Sequence, residues 1–291
     1  MESNVRITKD SNEFYHSQKQ YISSSMLKTI AKKSVCHYLR EDPPFGSALT
    51  IGSAFHTLVL EPHLFDDEFM VIKQKIDRRT KVGKAEMARL EGLAASKNQD
   101  ILLGKDHDMI QAMSHSIDQN EIYKHFLDEC KKEVSFYVDD FRIPDFEHTF
   151  RVRVRPDAYS SASINYSFGD KVHFHDNVII DLKSCQDASP RGFKSSVYNF
   201  GWHIQAAYYL DVLTHVAKSK GNDVPFTDFF FLAVEKKSPY SAQMYCLPEA
   251  LLEEGRRKYR SALKMWHHYL MTNEELGYHD SDGVSGPVIT L

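Results

Sequence analysis

Two aspartates and a lysine carry the chemistry that can be read first from this sequence. Asp181 and Lys183 lie in the stretch Asn177-Val-Ile-Ile-Asp-Leu-Lys-Ser184, and Asp157 follows Arg155-Pro156 upstream. Side chains alternate faces along a strand, so Asp181 and Lys183 point one way while Ile180 and Leu182 point the other, into a core. The run Val178, Ile179, Ile180 is what a buried strand needs. A carboxylate and an ammonium on one face of such a strand are costly unless they pair or bind something. Pro-Asp, a gap, then Asp-x-Lys suits metal-assisted phosphodiester hydrolysis. The carboxylates would hold a divalent ion, and the lysine would stand beside the attacking water or the scissile phosphate. Oxygen ligands favour a hard ion such as Mg²⁺, with Mn²⁺ as a substitute. An ion of this kind polarises a phosphoryl oxygen and lowers the pKa of a bound water. The same residues read alone would also suit a surface Asp-Lys pair on an edge strand.

Other residues could join this group. His56 sits in Gly52-Ser-Ala-Phe-His56, where small residues leave room for a substrate, and a neutral imidazole is a competent ligand for Mg²⁺ or Mn²⁺. On an apolar helix face it would equally suit a core histidine. Gln205 and Tyr209 are spaced i, i+4 and share a helix face. Glu133 opens the strand before that of Asp157 and could add an acidic group behind the ligands. Arg151, Arg153 and Arg155 alternate with valines, which puts three guanidinium groups on one strand face as a stripe for phosphate. Arg78, Arg79, Lys81 and Lys84 form a second basic cluster in a polar loop.

Elements must position these side chains. Ser23 caps a helix carrying Met26, Leu27 and Ile30, and a second helix covers residues 51–61 up to Pro62. Residues 65–72 suit a strand, and 84–97 and 106–128 suit helices. Strands are expected at 133–138, 150–155 and 178–183. A polar hairpin or loop fills 160–171 between the two aspartates. A short helix at 193–199 and a long one at 201–218 follow, then strands at 229–235 and 242–247 and a last helix over 248–271. The first 20 residues read as flexible, as does the tail from 276, which leaves one domain over 21–275. Helices that cover strands imply a mixed sheet in an α/β or α+β domain.

The 291 residues are 42% hydrophobic and 26% charged, with a formal net charge of −4. That composition is ordinary for a globular chain. It offers no global attraction for nucleic acid, so any basic surface must be local. Cys36, Cys130, Cys185 and Cys246 are widely spaced and read as buried free thiols of a reducing compartment. No apolar run approaches the ~18 residues of a membrane span, and no signal region opens the chain. The expected location is the cytoplasm, away from membranes.

The ordered set Ser23-Ser-Ser-Met-Leu-Lys28, Ile51 to Pro62, Asp77 to Lys84, Arg155-Pro-Asp157, Ile180-Asp-Leu-Lys183 and Tyr198 to Tyr209 resembles the RecE-type, exonuclease VIII-like phage recombination exonucleases. These belong to the PD-(D/E)xK nuclease superfamily. The resemblance implies a restriction-endonuclease-like core with a central mixed sheet flanked by helices. It implies a Mg²⁺-dependent 5′→3′ exonuclease that acts on double-stranded DNA ends and leaves a 3′ strand for a single-strand annealing protein. It also implies a homo-oligomeric ring, trimeric or tetrameric, and a ring could be acidic outside and basic in its channel. Carried over residue by residue, His56, Asp157, Asp181 and the Leu182 carbonyl bind metal, and Lys183 serves the attacking water. Gln205 and Tyr209 fall in the family's Gln-x-x-x-Tyr motif. Ser25, with Lys28 or Arg40, would lie near a 5′-phosphate pocket. A PD-(D/E)xK endonuclease and a non-catalytic DNA-end-binding scaffold are the competing readings.

Overall fold

The computed structural model describes residues 4–42 and 46–279, with the side chain of Ser47 excepted. In chain order, β1 (Val5–Thr8), α1 (Asn12–Ser17), α2 (Ser24–Lys32), α3 (Val35–Arg40) and α4 (Ser47–Leu60) lead through a 3₁₀ turn to α5 (Phe65–Glu68). Next come β2 (Phe69–Ile72), α6 (Lys81–Ser96), β3 (Asp100–Leu103), α7 (Gly104–Asp118), α8 (Glu121–Asp128), β4 (Lys131–Lys132), β5 (Ser135–Phe141) and β6 (Phe150–Val154). The remainder is β7 (Ala158–Ser160), the hairpin β8 (Ile164–Phe168) and β9 (Lys171–His175), β10 (Val178–Cys185), α9 (Pro190–Phe200), α10 (Trp202–Ser219), β11 (Asp228–Glu235), β12 (Ala242–Cys246) and α11 (Glu249–Thr272).

The central sheet is mixed, in the order β12-β11-β10-β7-β4, with β10 and β11 parallel and the other neighbours antiparallel. Helices flank it, as an α/β domain with a PD-(D/E)xK-like core requires. β10 occupies the middle because both of its faces are apolar at the right period. Val178, Ile180 and Leu182 join one core with Phe55 of α4 and Ile110 of α7. Ile179 and Cys185 join the other, with Val197 of α9 and Ala206 of α10. Each such side chain contributes ~1.5–3 kcal/mol on burial. That surplus lets the strand hold one charged residue, Asp181, out of water.

α10 is buried along most of its length and is crossed closely by α11. Gly255 makes the crossing possible, since a Cβ there would lie 2.2 Å from the His203 carbonyl oxygen. The Gly255→Ala protein should therefore lose ~1–3 kcal/mol through overpacking. Urea unfolding checks this, and an unchanged midpoint would contradict the close crossing.

Several local expectations need correction. Residues 5–8 are not loose: β1 pairs antiparallel with β5, and Tyr15 is buried. Residues 65–72 split into the helical turn α5 and the strand β2, and β2 pairs with β3, a strand the sequence pattern concealed. The helix over 106–128 breaks where Asn120 caps α8 by accepting from the Ile122 and Tyr123 amides. The excursion after Asp157 contains the β8–β9 hairpin. At the other end, the Leu276 carbonyl accepts from the Cys36 amide at 3.1 Å. His279 Nε2 lies 2.9 Å from the Ile30 carbonyl oxygen, and residues 280–291 fall outside the described residues. All four cysteines are free, but Cys246 is exposed and Cys36 only half-buried. Among the described residues, no helix is long and apolar enough to cross a membrane.

Candidate active site

The site forms where β7 parts from β10. The two strands pair from Val178↔Ser160 to Ile180↔Ala158. One further step in that register sets Asp181 against Asp157, but the pairing stops there. The Leu182 amide is left without a partner on β7, and the Asp157 carboxylate takes it, at 2.6 Å from Oδ2. The period-two pattern of β10 then sends Leu182 into one core and Asp181 to the opposite face.

Asp157 gathers the metal-competent groups. His56, projecting from α4, places Nδ1 3.4 Å from Asp157 Oδ2. Glu133 lies between β4 and β5, and its amide donates to the Asp157 carbonyl at 3.1 Å. One ligand atom each from His56, Glu133 and Asp157 all lie within 4.8 Å of one another. Glu133 has φ +53°, a left-handed conformation that costs a glutamate roughly 1–2 kcal/mol. Strain of this kind persists where surrounding structure imposes it, and it concentrates at functional sites.

Asp181 is turned the other way. It is 1% exposed, and Oδ1 accepts from Gln205 Nε2 at 2.5 Å. Lys183 forms an ion pair with Oδ2, yet that oxygen has no aligned hydrogen-bond donor. The Lys183 ammonium rests 5.4 Å from the centroid of the Trp202 ring. Gln205 Oε1 in turn accepts from Lys28 Nζ at 3.4 Å, so α2 reaches the site through α10. The Tyr209 phenol is buried, and burial with neighbouring Tyr15, Asp181 and Asp157 holds its pKa well above the usual tyrosine value.

A cleft of about 860 Å³ opens on this group, lined by His56, Glu61, Glu133, Asp157, Ser184 and Tyr209 among others. Gly52 and Ser53 also line it, and a Cβ at Gly52 would meet nothing within 4 Å. The small residues of α4 therefore do leave space. The N-terminal segment also contributes, with Asn12 and Tyr15 in the wall. The donor set fits a hard divalent cation: two carboxylates and one imidazole converge, and the partly unsatisfied Asp181 oxygen lies close behind. Of the expected ligand set, His56 and Asp157 fall in this cluster together with Glu133, while Asp181 meets Gln205 and Lys183, and the Leu182 amide donates to Asp157.

The basic residues divide. Arg153 and Arg155 do not form an open phosphate stripe, since they are only 6% and 8% exposed. Arg155 donates to Ser135 Oγ at 3.0 Å and Asn12 Oδ1 at 2.7 Å, and Arg153 donates to the Tyr15 carbonyl. Both guanidinium groups lie over the Tyr15 ring. Buried guanidinium groups need acceptors, and the N-terminal segment supplies carbonyls that the sequence pattern did not reveal. Arg40 is taken by Glu275 at 2.7 Å and does not line the cleft. The Ser25 hydroxyl lies 3.0 Å from Ser23 Oγ, at the exposed start of α2. Arg79 is bonded to Asp77. Arg78 lines a second cavity of about 960 Å³ that shares Leu49, Ser53 and Asp100 with the first.

Burial raises the Glu133 carboxyl to about 8, with Asp157 adding to the effect. Burial likewise raises Asp157 to about 6, although His56 opposes it. Without a divalent cation, the folded protein holds these protons more tightly than the unfolded chain, whose values are 4.5 and 3.8. The pair therefore favours folding at acid pH, and that contribution is lost as pH rises from about 4 through about 8. A cation competes with the protons, so its stabilisation should grow with pH. Melting curves in EDTA and in Mg²⁺ at pH 5.5 and 8.5 should show the larger rise in Tm at pH 8.5. Equal rises at both values would contradict this arrangement.

Two comparisons bear on this geometry. Residues 167–279 match a family profile described as a PDDEXK-like domain of unknown function, DUF3799. The match contains Asp181, Lys183, Gln205 and Tyr209 but not His56, Glu133 or Asp157. A crystal structure from Eubacterium rectale, provisionally described as an exonuclease, superposes with a TM-score of 0.53. The two share 15% identity over 90% of this chain and 88% of that one, which is a likeness of fold. No curated protein matches the sequence. These findings support the PD-(D/E)xK nuclease superfamily and do not single out its RecE-type branch.

Proposed function

We propose that this protein is a divalent-metal-dependent nuclease that hydrolyses linear double-stranded DNA from its ends, in the 5′→3′ sense, leaving 3′ single strands. The observation that carries the reading is the cluster of His56, Glu133 and Asp157 at one cleft, tied through the Asp157–Leu182 hydrogen bond to the strand that bears the Asp181–Lys183–Gln205 chain. The polarity, the annealing-protein partner, the homo-oligomeric ring and the cytoplasmic location rest on the resemblance to RecE-type enzymes.

His56, Glu133 and Asp157 would hold a Mg²⁺ or Mn²⁺ ion, which would supply Lewis-acid polarisation of the phosphoryl oxygen and neutralise charge. Lys183 presents its ammonium to the attacking water or the scissile phosphate, where charge develops. Asp181 anchors that ammonium, and Gln205 fixes the Asp181 carboxylate in place. Tyr209 fills the buried wall behind them. The acidic cleft would not welcome a bare phosphate, so the cation and the lysines on the α2 side must offset the repulsion.

Linear duplex labelled at the 5′ or the 3′ end, and closed circular duplex, incubated with Mg²⁺ provide the test. We expect early release of the 5′ label, retention of the 3′ label and no attack on the circle. Cutting of the circle would replace the reading with an endonuclease. Binding to ends without any hydrolysis would replace it with a scaffold.

A further inference from the structure

The end of α9 presents aromatic surface beside the candidate site. Phe200 is 59% exposed and Tyr198 is 43% exposed. A single exposed ring needs no explanation. Phe200, however, is the outermost member of an ordered series. Its ring stacks on Trp202 with centroids 5.3 Å apart and planes at 26°. Trp202 contacts Phe193 at 5.4 Å, and Phe193 stacks on Tyr245 at 4.5 Å. Trp202 is also the ring over which the Lys183 ammonium rests, at 5.4 Å. One tryptophan thus links the exposed ring to Lys183, and the series behind it holds that ring in place.

Cations run along the same edge. Lys28 and Lys32 are spaced i, i+4 on α2 and share a face. The neighbouring lysines Lys33 and Lys258 are bridged to Glu41 and Glu254. Lys28 and Lys32 instead meet neutral oxygens, Gln205 Oε1 and the Asn199 carbonyl. Neither is hydrogen-bonded to a carboxylate among the described residues; Lys32 is exposed, whereas burial, with Lys183 adding to it, lowers Lys28 to about 8, so that an anion beside it would favour its charged form. Gly201 lies beside both lysine stems. It sits at φ +65°, and a Cβ there would lie 3.3 Å from Lys32 Cδ and 3.5 Å from Lys28 Cγ.

We propose that Phe200 is a stacking platform for an unpaired nucleobase of the strand being cut, with Lys28 and Lys32 meeting the phosphates that lead towards Lys183. This rests on the nuclease reading and adds to it the place where the single strand lies. Bases of any identity stack on an aromatic ring, so the platform serves sequence-independent binding. The ring already stacks on Trp202 before the base arrives, which limits the ordering cost of binding. The lysines add a salt-dependent phosphate contribution.

The test is equilibrium binding of a single-stranded oligonucleotide carrying 2-aminopurine, with Ca²⁺ in place of Mg²⁺, to wild type, Phe200→Ala, Phe200→Trp and Lys32→Gln. Wild type should quench the 2-aminopurine. Phe200→Ala should bind about fivefold to 100-fold more weakly and lose the quenching, whereas Phe200→Trp should keep both. Lys32→Gln should weaken binding and flatten its salt dependence. Phe200→Ala that binds and quenches as wild type does would overturn the platform, and the nuclease reading would stand as long as wild type digests duplex in Mg²⁺. Wild-type protein that neither binds nor cuts DNA would remove both.

Discussion

Replacing Lys183 by methionine should lower the rate of DNA hydrolysis in Mg²⁺ at least about 100-fold, the size of effect seen when one charge-stabilising donor is removed from an active site. Methionine keeps an unbranched stem beside Trp202 and Phe231, so the packing around it is largely retained. What disappears is the only cation in ion-pair contact with Asp181 among the described residues. Asp181 is left with Gln205 alone, and its Oδ2 has no other donor. The loss should appear in kcat more than in KM, because the ammonium is needed most where charge develops during the reaction. Single-turnover digestion measures it directly. A Lys183→Met protein that cuts at the wild-type rate would leave Lys183 as a structural partner of Asp181 and nothing more.

The second large effect is expected at Glu133. The Glu133→Gln protein should bind Mn²⁺ at least about 100-fold more weakly than wild type, because even a residue behind the ligands typically changes affinity 10- to 100-fold. Glutamine is isosteric and neutral. The buried Glu133 carboxyl already favours its neutral form, so the substitution should not disturb the fold. Calorimetric titration of both proteins near pH 8 gives the comparison. An Asp181→Asn protein measured alongside should lose less. If instead Asp181→Asn abolishes binding and Glu133→Gln changes it less than twofold, the cation sits between Asp157 and Asp181, as the sequence pattern alone would place it.

That difference marks how far the sequence could be read. The apolar run before Asp181, the period-two placement of Lys183 and the i, i+4 pairing of Gln205 and Tyr209 are local signals, and the structure joins Asp181, Lys183 and Gln205 as they suggest. The positions of β10, β11, β12 and α10 were likewise visible, because buried strands and long helices leave strong periodic patterns, but their order in the sheet was not. Glu133 was noticed only as a group behind the ligands. Its position depends on a single left-handed residue and on an amide donated to Asp157, and neither leaves a trace in residue types. Arg153 and Arg155 were misread for a related reason. Alternation correctly put them on one face, but no local pattern could show that the N-terminal segment would cover that face. β3 escaped notice because it has only four residues between two helices. Contacts between segments far apart in the chain decided each of these cases.

Crystals soaked with Mn²⁺ and a short duplex, measured at the manganese absorption edge, would locate both the cation and the scissile phosphate. An anomalous peak is expected within bonding distance of His56, Glu133 and Asp157, with a phosphodiester oxygen on its open side and the Lys183 ammonium beside that phosphate. A peak held by other residues, or DNA seated away from this cleft with no metal in it, would rule out this cluster as the catalytic metal site.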